Sequence, residues 1–291
     1  MIETKESKLQ NLLKEVNASN LASLKSSIIE IIRIINDPRS NARKLTEVIE
    51  LDPSLSSRIL RVANSAYYGS ISHISEIKIA IVRIGYDEVK SLALSQKISE
   101  LFRDTTTASG FSQSNLWKHS VAVALCAKTI ARQEFRDRGE NLYAAGLLHE
   151  IGLIVEAQFR SLEFEQVLAM LPKTRNNIIL AEAKVFGFNH LEVGQIVLRD
   201  WQLPEDLVLA TVCHHNPVGA EGEFMQTANI LFLSDYICQK RGIGYADVPG
   251  LNQYAFQKSL NRLGLQTRAI ELIVAEVEEE IGRMEAQGWF I

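Results

Sequence analysis

An all-α fold is the architecture this sequence of 291 residues predicts. Three observations carry the prediction. Apolar residues recur at three- and four-residue spacing through most of the chain, the period that puts them on one face of a helix. Convincing alternating segments joined by a hairpin turn are absent. Proline, aspartate, asparagine and glycine stand where the helical stripes stop, as helix punctuation does.

The elements follow in order. Leu24, Ile28, Ile32 and Ile35 form a stripe that stops at Asn36-Asp37-Pro38. Leu45, Val48 and Ile49 mark a short helix ending before Asp52-Pro53, where the aspartate caps and the proline opens a third helix facing inward through Leu55, Ile59 and Val62. The run Asn64-Ser65-Ala66-Tyr67-Tyr68-Gly69 closes it. Ile74, Ile77, Ile81 and Ile84 repeat at helical spacing. Ile77, Ile79 and Ile81 also alternate, but nothing nearby offers a partner strand, so a helix is expected, broken at Gly85 and followed by another over 87–102. The polar stretch RDTTTASGFSQS at 103–114 is the clearest shift in composition. It predicts a boundary between an N-terminal helical subdomain, 1–110, and a second domain, 111–291. Helices are expected there near 115–135, 141–149, 161–171, 177–186, 190–201, 204–215, 226–240 and 266–286, the last burying Ile273, Val277, Ile281 and Met284.

Composition narrows the function. The chain is 46% hydrophobic and 23% charged with net charge −4, ordinary for a soluble globular protein. With a pI near 5.9 it lacks the basic balance of a general nucleic-acid binder. Arg58, Arg61 and Arg83 are too few to change that, and no helix clusters base-reading side chains. The N-terminus is charged from its third residue and no apolar stretch reaches membrane-spanning length, so neither a signal peptide nor a membrane span is expected. Three scattered cysteines, Cys126, Cys213 and Cys238, suit a reducing compartment, and a cytoplasmic location is the expectation. The terminal Trp289, Phe290 and Ile291 either form a contact surface or fold back onto the core.

Five of the six histidines fall between 119 and 215. His119 opens a long apolar helix. His149 and Glu150 end the next, in Leu147-Leu148-His149-Glu150-Ile151-Gly152. His190 follows Asn189, which with Glu192 has the spacing of a capping box. His214 and His215 end the helix that begins near Pro204. Asp235 interrupts the apolar run Ile230–Cys238, and a buried carboxylate is costly unless a cation or hydrogen bonds compensate it. Singly, each has an ordinary structural reading: a helix-end imidazole capping carbonyls, a histidine pair favoured by the helix dipole, an aspartate paired with an arginine or a backbone amide. Together they offer the imidazoles and carboxylates that a mixed nitrogen and oxygen metal site needs, and spacing alone leaves that reading and the ordinary structural one both open.

In order and spacing these residues resemble the HD superfamily of metal-dependent phosphohydrolases, which has aspartate where this chain has Glu150. The closer resemblance is to its HDOD branch. It rests on Glu182-x4-Gly187-x2-His190-x3-Gly194, Trp201-x-Leu203-Pro204 and His214-His215. In the N-terminal half it rests on Asp52-Pro53-x-Leu55, Leu60-Arg61-x2-Asn64-Ser65-Ala66 and Ala80-x3-Ile84-Gly85. It spans roughly residues 20–240.

The resemblance implies an HD-like multi-helix bundle and a metal site formed by His119, His149, Glu150, His190, His214, His215 and Asp235. One or two divalent ions of iron, manganese, nickel or zinc would suit these ligands. In active HD enzymes the metal activates water toward a phosphate ester. Here Leu153 stands where related phosphodiesterases carry lysine, and Asn216-Pro217-Val218-Gly219 replaces their substrate-engaging GYP segment. The expectation is a bacterial signal-transduction module, non-catalytic or weakly catalytic. It would act by binding a signalling protein or a small nucleotide-like ligand, with a metal site and eroded catalysis. The alternative is a metal-dependent phosphohydrolase acting on a nucleotide or cyclic dinucleotide through Glu150.

Overall fold

The computed structural model describes residues 4–69, 73–102, 107, 110–175, 177–222, 224–245, 252–286 and 289–290. Among these, the chain forms sixteen α-helices and no β-strand. It divides into two compact units, one made of residues 1–20 together with 102–291, the other of 21–101. The composition break at 103–114 thus lies next to the junction at 101/102, although 103–106, 108 and 109 are outside the described residues. Residues 1–20, however, group with the later unit.

The first helix, α1 (Lys5–Asn17), was not marked by the sequence stripes, yet Leu9, Leu12 and Val16 give it a buried face. The smaller unit contains α2 (Asn20–Asn36), α3 (Ala42–Glu50), α4 (Pro53–Ala63), α5 (Ile77–Ile84) and α6 (Tyr86–Ser99). Asp52 caps α4 as its spacing predicts, accepting from the Leu55 amide at 3.0 Å. Helix α5 is a helix, not a strand: Ile77 and Ile81 are buried, whereas Ile79 is 47% exposed. Ile74 lies before α5 and not inside it. Asn64 holds it there, accepting from the Ile74 amide and donating to the Ile74 carbonyl, both at 2.8 Å, and donating to Leu60 O at 2.9 Å. Asn64→Ala removes three hydrogen bonds at once and is expected to lower stability by about 2 kcal/mol. Urea unfolding monitored by circular dichroism measures that loss.

The larger unit adds α7 (Gln113–Phe135), α8 (Glu140–Leu148), α9 (Ile151–Phe159), α10 (Ser161–Met170), α11 (Ile178–Val185), α12 (His190–Asp200), α13 (Glu205–Cys213), α14 (Phe224–Arg241), α15 (Gln253–Leu263) and α16 (Thr267–Ala286). Helix α7 is its spine, packed against α8, α14 and α16. Two helices here escaped the sequence reading. Helix α15 was not expected, and α9 directly follows the His149-Glu150 pair. Six consecutive residues of α9, Ile151–Glu156, are buried, so it shows no single apolar stripe. Helices α7 and α8 approach so closely at Gly146 that an added Cβ would lie 2.4 Å from Ala124 Cα. Helix α1 is fastened to this unit by polar contacts. Lys5 pairs with Glu192 at 2.6 Å, Lys8 donates to Phe186 O at 2.9 Å, and Arg160 forms a two-pronged pair with Glu15. The tail folds back: Trp289 is 8% exposed and Ser114 Oγ donates to Phe290 O at 2.9 Å. Ile291 lies outside the described residues.

Candidate metal centre

The seven residues come together inside the larger unit from six helices and their ends. His119 lies in the second turn of α7, His149 is the C-cap of α8, and Glu150 immediately precedes α9. His190 is the first residue of α12, behind an Asn189–Glu192 capping box that is fully formed. His214 is the C-cap of α13 with His215 after it, and Asp235 is buried within α14. Their imidazoles form a continuous cluster, with ring centroids 5.3 Å apart for His119 and His149, 4.9 Å for His149 and His214, 4.2 Å for His214 and His215, and 5.1 Å for His190 and His215.

Four of the five histidines are held by contacts to oxygen atoms of the protein. At the ends of α8 and α13 the same device appears twice: Nδ1 of His149 donates to Gly146 O at 2.7 Å, and Nδ1 of His214 to Thr211 O, each three residues back. Nδ1 of His190 donates to the Glu182 carboxylate at 2.8 Å, and the His190 backbone amide donates to the same group at 3.1 Å. For His149 and His214 the hydrogen bond at Nδ1 fixes the tautomer with the Nε2 lone pair free, the form that binds a metal, whereas Nε2 of His190 lies 3.1 Å from Nε2 of His215. His119 differs, since its Nε2 contacts Asp235 Oδ1 at 3.0 Å. Gln239, one turn beyond Asp235, donates to both aspartate oxygens at 2.9 and 3.0 Å. Asp235 is therefore compensated by an imidazole and an amide, not by an arginine.

What remains is a set of buried atoms with no protein partner: His149 Nε2, His214 Nε2 and Glu150 Oε2. They face one another. Glu150 Oε2 lies 3.7 Å from His190 Nε2 and 3.8 Å from His214 Nε2, and Glu150 Oε1 lies 3.9 Å from His149 Nε2, itself 3.8 Å from Asp235 Oδ1. Ligands bound about 2.0–2.2 Å from one ion stand roughly 3–3.5 Å from each other. The spacing here is slightly wider, and burial without partners is costly, so the residues present fit a divalent cation. They group as His119, His149 and Glu150 on one side and His190, His214 and His215 on the other, each group with its ligand atoms within 4.8 Å.

The charge states divide the pocket into neutral imidazoles and groups that hold a proton. Burial holds the His149 imidazole down to about 4, and burial followed by the neighbouring imidazoles keeps His214 and His215 well below the usual histidine range. Burial pushes Glu150 up to about 7. Burial also disfavours the cation at His190, but the adjoining Glu182 carboxylate overrides it and raises the imidazole to about 9. Asp235 stays below the ordinary range despite burial because His119 bonds to it.

Gly152 explains the end of the His-Glu segment. A Cβ on it would sit 1.9 Å from His190 O, so α9 can lie against the start of α12 only because no side chain intervenes. Leu153, in the position of the phosphodiesterase lysine, is buried at 1% exposure and brings no cation to the site.

Comparison with known proteins bears on fold and family. The family model of the HDOD domain matches residues 21–217. Solved structures of similar fold include an HDOD domain protein of unknown function from Geobacter sulfurreducens, with TM-score 0.76, 26% identity and 97% of each chain covered. A candidate signal transduction protein from Marinobacter aquaeolei VT8 matches with TM-score 0.78 and 22% identity over 98% of this chain and 65% of its own. A candidate phosphohydrolase from Shewanella amazonensis SB2B matches with TM-score 0.68 and 20% identity over 98% of this chain and 96% of its own. The chain spans less than half the length of the curated relatives it matches: 43% of an uncharacterised Treponema pallidum protein, 24% identical over 228 residues covering 77% of this chain, and 36% of the Bacillus subtilis protein YuxH.

Proposed function

The chain belongs to the HDOD domain family, and from that membership we propose that it is a signal-transduction module acting by binding, its metal centre serving structure and ligand sensing in place of turnover. One observation carries the reading. Six of the seven candidate ligands are at most 4% exposed, namely His119, His149, Glu150, His190, His214 and Asp235. Only His215 among the seven is half-buried. Catalytic metal sites keep a position open for water or substrate, whereas closed sites are structural. The buried Leu153 and the longer carboxylate of Glu150 point the same way.

A divalent ion bound here would supply Lewis acidity toward a phosphate oxygen. The protein's own groups set how the site is held and where it opens. Gly146 O, Thr211 O and Glu182 orient the imidazoles, Glu150 stands between the two ligand groups, and His215 marks the accessible edge. The ligand that edge would meet is a small nucleotide-like anion or a segment of a signalling partner. The candidate signal transduction protein of Marinobacter aquaeolei supports this by its fold. The same fold in a candidate phosphohydrolase keeps the hydrolytic alternative open to test.

The test is metal content by plasma mass spectrometry together with hydrolysis of nucleotides and cyclic dinucleotides. Purified protein is expected to carry iron, manganese, nickel or zinc near stoichiometry, to lose most of it in both His149→Ala and Asp235→Ala, and to show no turnover. Metal-dependent turnover abolished in both variants would replace the proposal with the phosphohydrolase reading. Well-folded protein that takes up no metal on reconstitution would remove the metal centre from it.

A further inference from the structure

The imidazoles of the candidate centre differ in how far along the chain their supports lie. Nδ1 of His149, His190 and His214 meets an oxygen no more than eight residues away in sequence. Nδ1 of His119 meets Ile243 O at 3.4 Å, 124 residues further on. Its other nitrogen faces Asp235 at 3.0 Å. Both nitrogens of His119 are therefore met by one short stretch of chain, the end of α14 and the residues that follow it.

The sequence makes that stretch turn back. Gly242 stands directly after α14 at φ +67°, its amide donating to Gln239 O and the Ile243 amide to Cys238 O, both at 3.0 Å. This is the glycine-dependent turn that ends a helix and redirects the chain. Redirected, Ile243-Gly244-Tyr245 lies across the first turns of α7 as a strap. The Tyr245 amide donates to Asn115 O at 2.9 Å, and the Tyr245 ring meets Phe111 edge-on with centroids 5.1 Å apart. Gly244, at φ +75°, sits between these contacts. A Cβ there would lie 2.4 Å from His119 N and 2.5 Å from Asn115 O, both backbone atoms. Close approach at Gly244 is thus what brings Ile243 O to the His119 ring. Gly242 makes no such demand, since a Cβ on it would meet nothing within 4 Å.

We propose that residues 243–245 form a positioning strap: seated on α7, they hold Ile243 O against Nδ1 of His119 and so set the direction in which Nε2 faces the cluster. Gly244 is the residue that permits the seating, and Tyr245 is the residue that fastens it. An imidazole held by a carbonyl at its far nitrogen is aimed before a cation arrives, and supporting contacts of that kind govern how tightly the cation is held. Helix α14 then has two duties. Asp235 belongs to the cluster itself, while the exit turn of the helix aims the histidine opposite. The seating concerns the metal-free protein; only its effect on cation affinity rests on the function proposed above.

The experiment compares the full-length parent with Gly242→Ala and Gly244→Ala, first without metal and then with Zn²⁺ as the probe. Hydrogen exchange of the Tyr245 amide reports the seating, and the side-chain nitrogen-15 resonances of His119 report what its ring meets. Gly242→Ala strains a left-handed position without a clash. It should lower the Tm yet keep the Tyr245 amide protected, the His119 resonances in place and Zn²⁺ affinity within about threefold of the parent. Gly244→Ala should release the strap. Its Tyr245 amide should exchange about tenfold faster or more, and its His119 resonances should shift. Its Zn²⁺ affinity, measured by calorimetry where each variant is folded, should fall by roughly 10–100-fold. Unchanged exchange and resonances in Gly244→Ala would overturn the proposal. So would a released strap with Zn²⁺ affinity still within about threefold of Gly242→Ala. If the parent binds no Zn²⁺, the metal reading fails, while exchange and resonances still decide the strap. If Gly244→Ala does not fold, Tyr245→Ala takes its place, removing the ring from Phe111 and adding no atom. It is expected to change exchange, resonance and affinity in the same directions, and an unchanged His119 resonance there overturns the proposal.

Discussion

Gly152→Ala is expected to destabilise the protein by more than about 3 kcal/mol and to release any metal it holds. The added methyl would meet only main chain: His190 O at 1.9 Å, the His190 carbonyl carbon at 2.7 Å and Cα at 2.9 Å. No rotamer change relieves a clash with backbone, so α9 and the first turn of α12 must separate. That separation displaces His190, one of the candidate ligands, and opens the capping box beside it. Gly194, on α12, is the internal control. Its Cβ would find nothing nearer than Ile151 Cγ2 at 3.5 Å, an ordinary contact. Gly194→Ala should therefore change stability by less than about 1 kcal/mol, since the helix gains from alanine what crowding takes away. Denaturant unfolding of the two variants in parallel checks both values. A Gly152→Ala protein as stable as the parent would mean that α9 does not lie against His190.

Cation binding should show a two-stage dependence on pH. Without a cation, Glu150 holds its proton up to about 7 and His190 keeps its second proton up to about 9. Ligation requires both to leave. Affinity should therefore rise about tenfold per pH unit between 7 and 9, where only His190 competes, and about a hundredfold per unit just below 7, where both do. Linkage sets the sign for the metal-free protein. Burial raises the Glu150 carboxyl above its ordinary 4.5, so this group costs stability progressively as pH rises to about 7. His190, raised from 6.5, contributes stability that is lost as pH climbs through about 9. A bound divalent ion takes over the role of those protons. At one hundred times the dissociation constant it contributes about 2.7 kcal/mol, a rise in Tm of roughly 5–10 °C. At pH 8 that rise should appear in the parent and vanish in His149→Ala; at pH 6 the same metal concentration should have little effect. Equal affinity at pH 6 and 8 would show that Glu150 and His190 are not ligands.

Much of this arrangement was legible in the residues themselves. Asp52-Pro53 named a capped helix start, Asn189 and Glu192 named a capping box, and both are present. The lone carboxylate in the apolar run around Asp235 is buried against an imidazole, which is what such a residue requires. Glu156 carries the same signal, in Ile151-Gly152-Leu153-Ile154-Val155-Glu156, and that logic applied evenly along the chain would have found it. Gln239 could have been found as the residue one turn beyond Asp235 on the same face. Helix α9 was invisible for a physical reason: a helix covered on all sides has no polar face and so no period to read. Helix α1 escaped because its partners are remote in sequence, with Lys5 meeting Glu192 and Glu15 meeting Arg160.

That remoteness has a consequence for how the chain is made. Helix α1 is synthesised before its docking elements α9 and α12, which begin at Ile151 and His190. At roughly 5–20 residues per second, a ribosome leaves α1 waiting on the order of ten seconds before the first of them emerges. The smaller unit, residues 21–101, is complete well before then. Birth order and final company therefore disagree: α1 emerges well ahead of the helices it docks on, and until they arrive, its Leu9, Leu12 and Val16 face is available to chaperones.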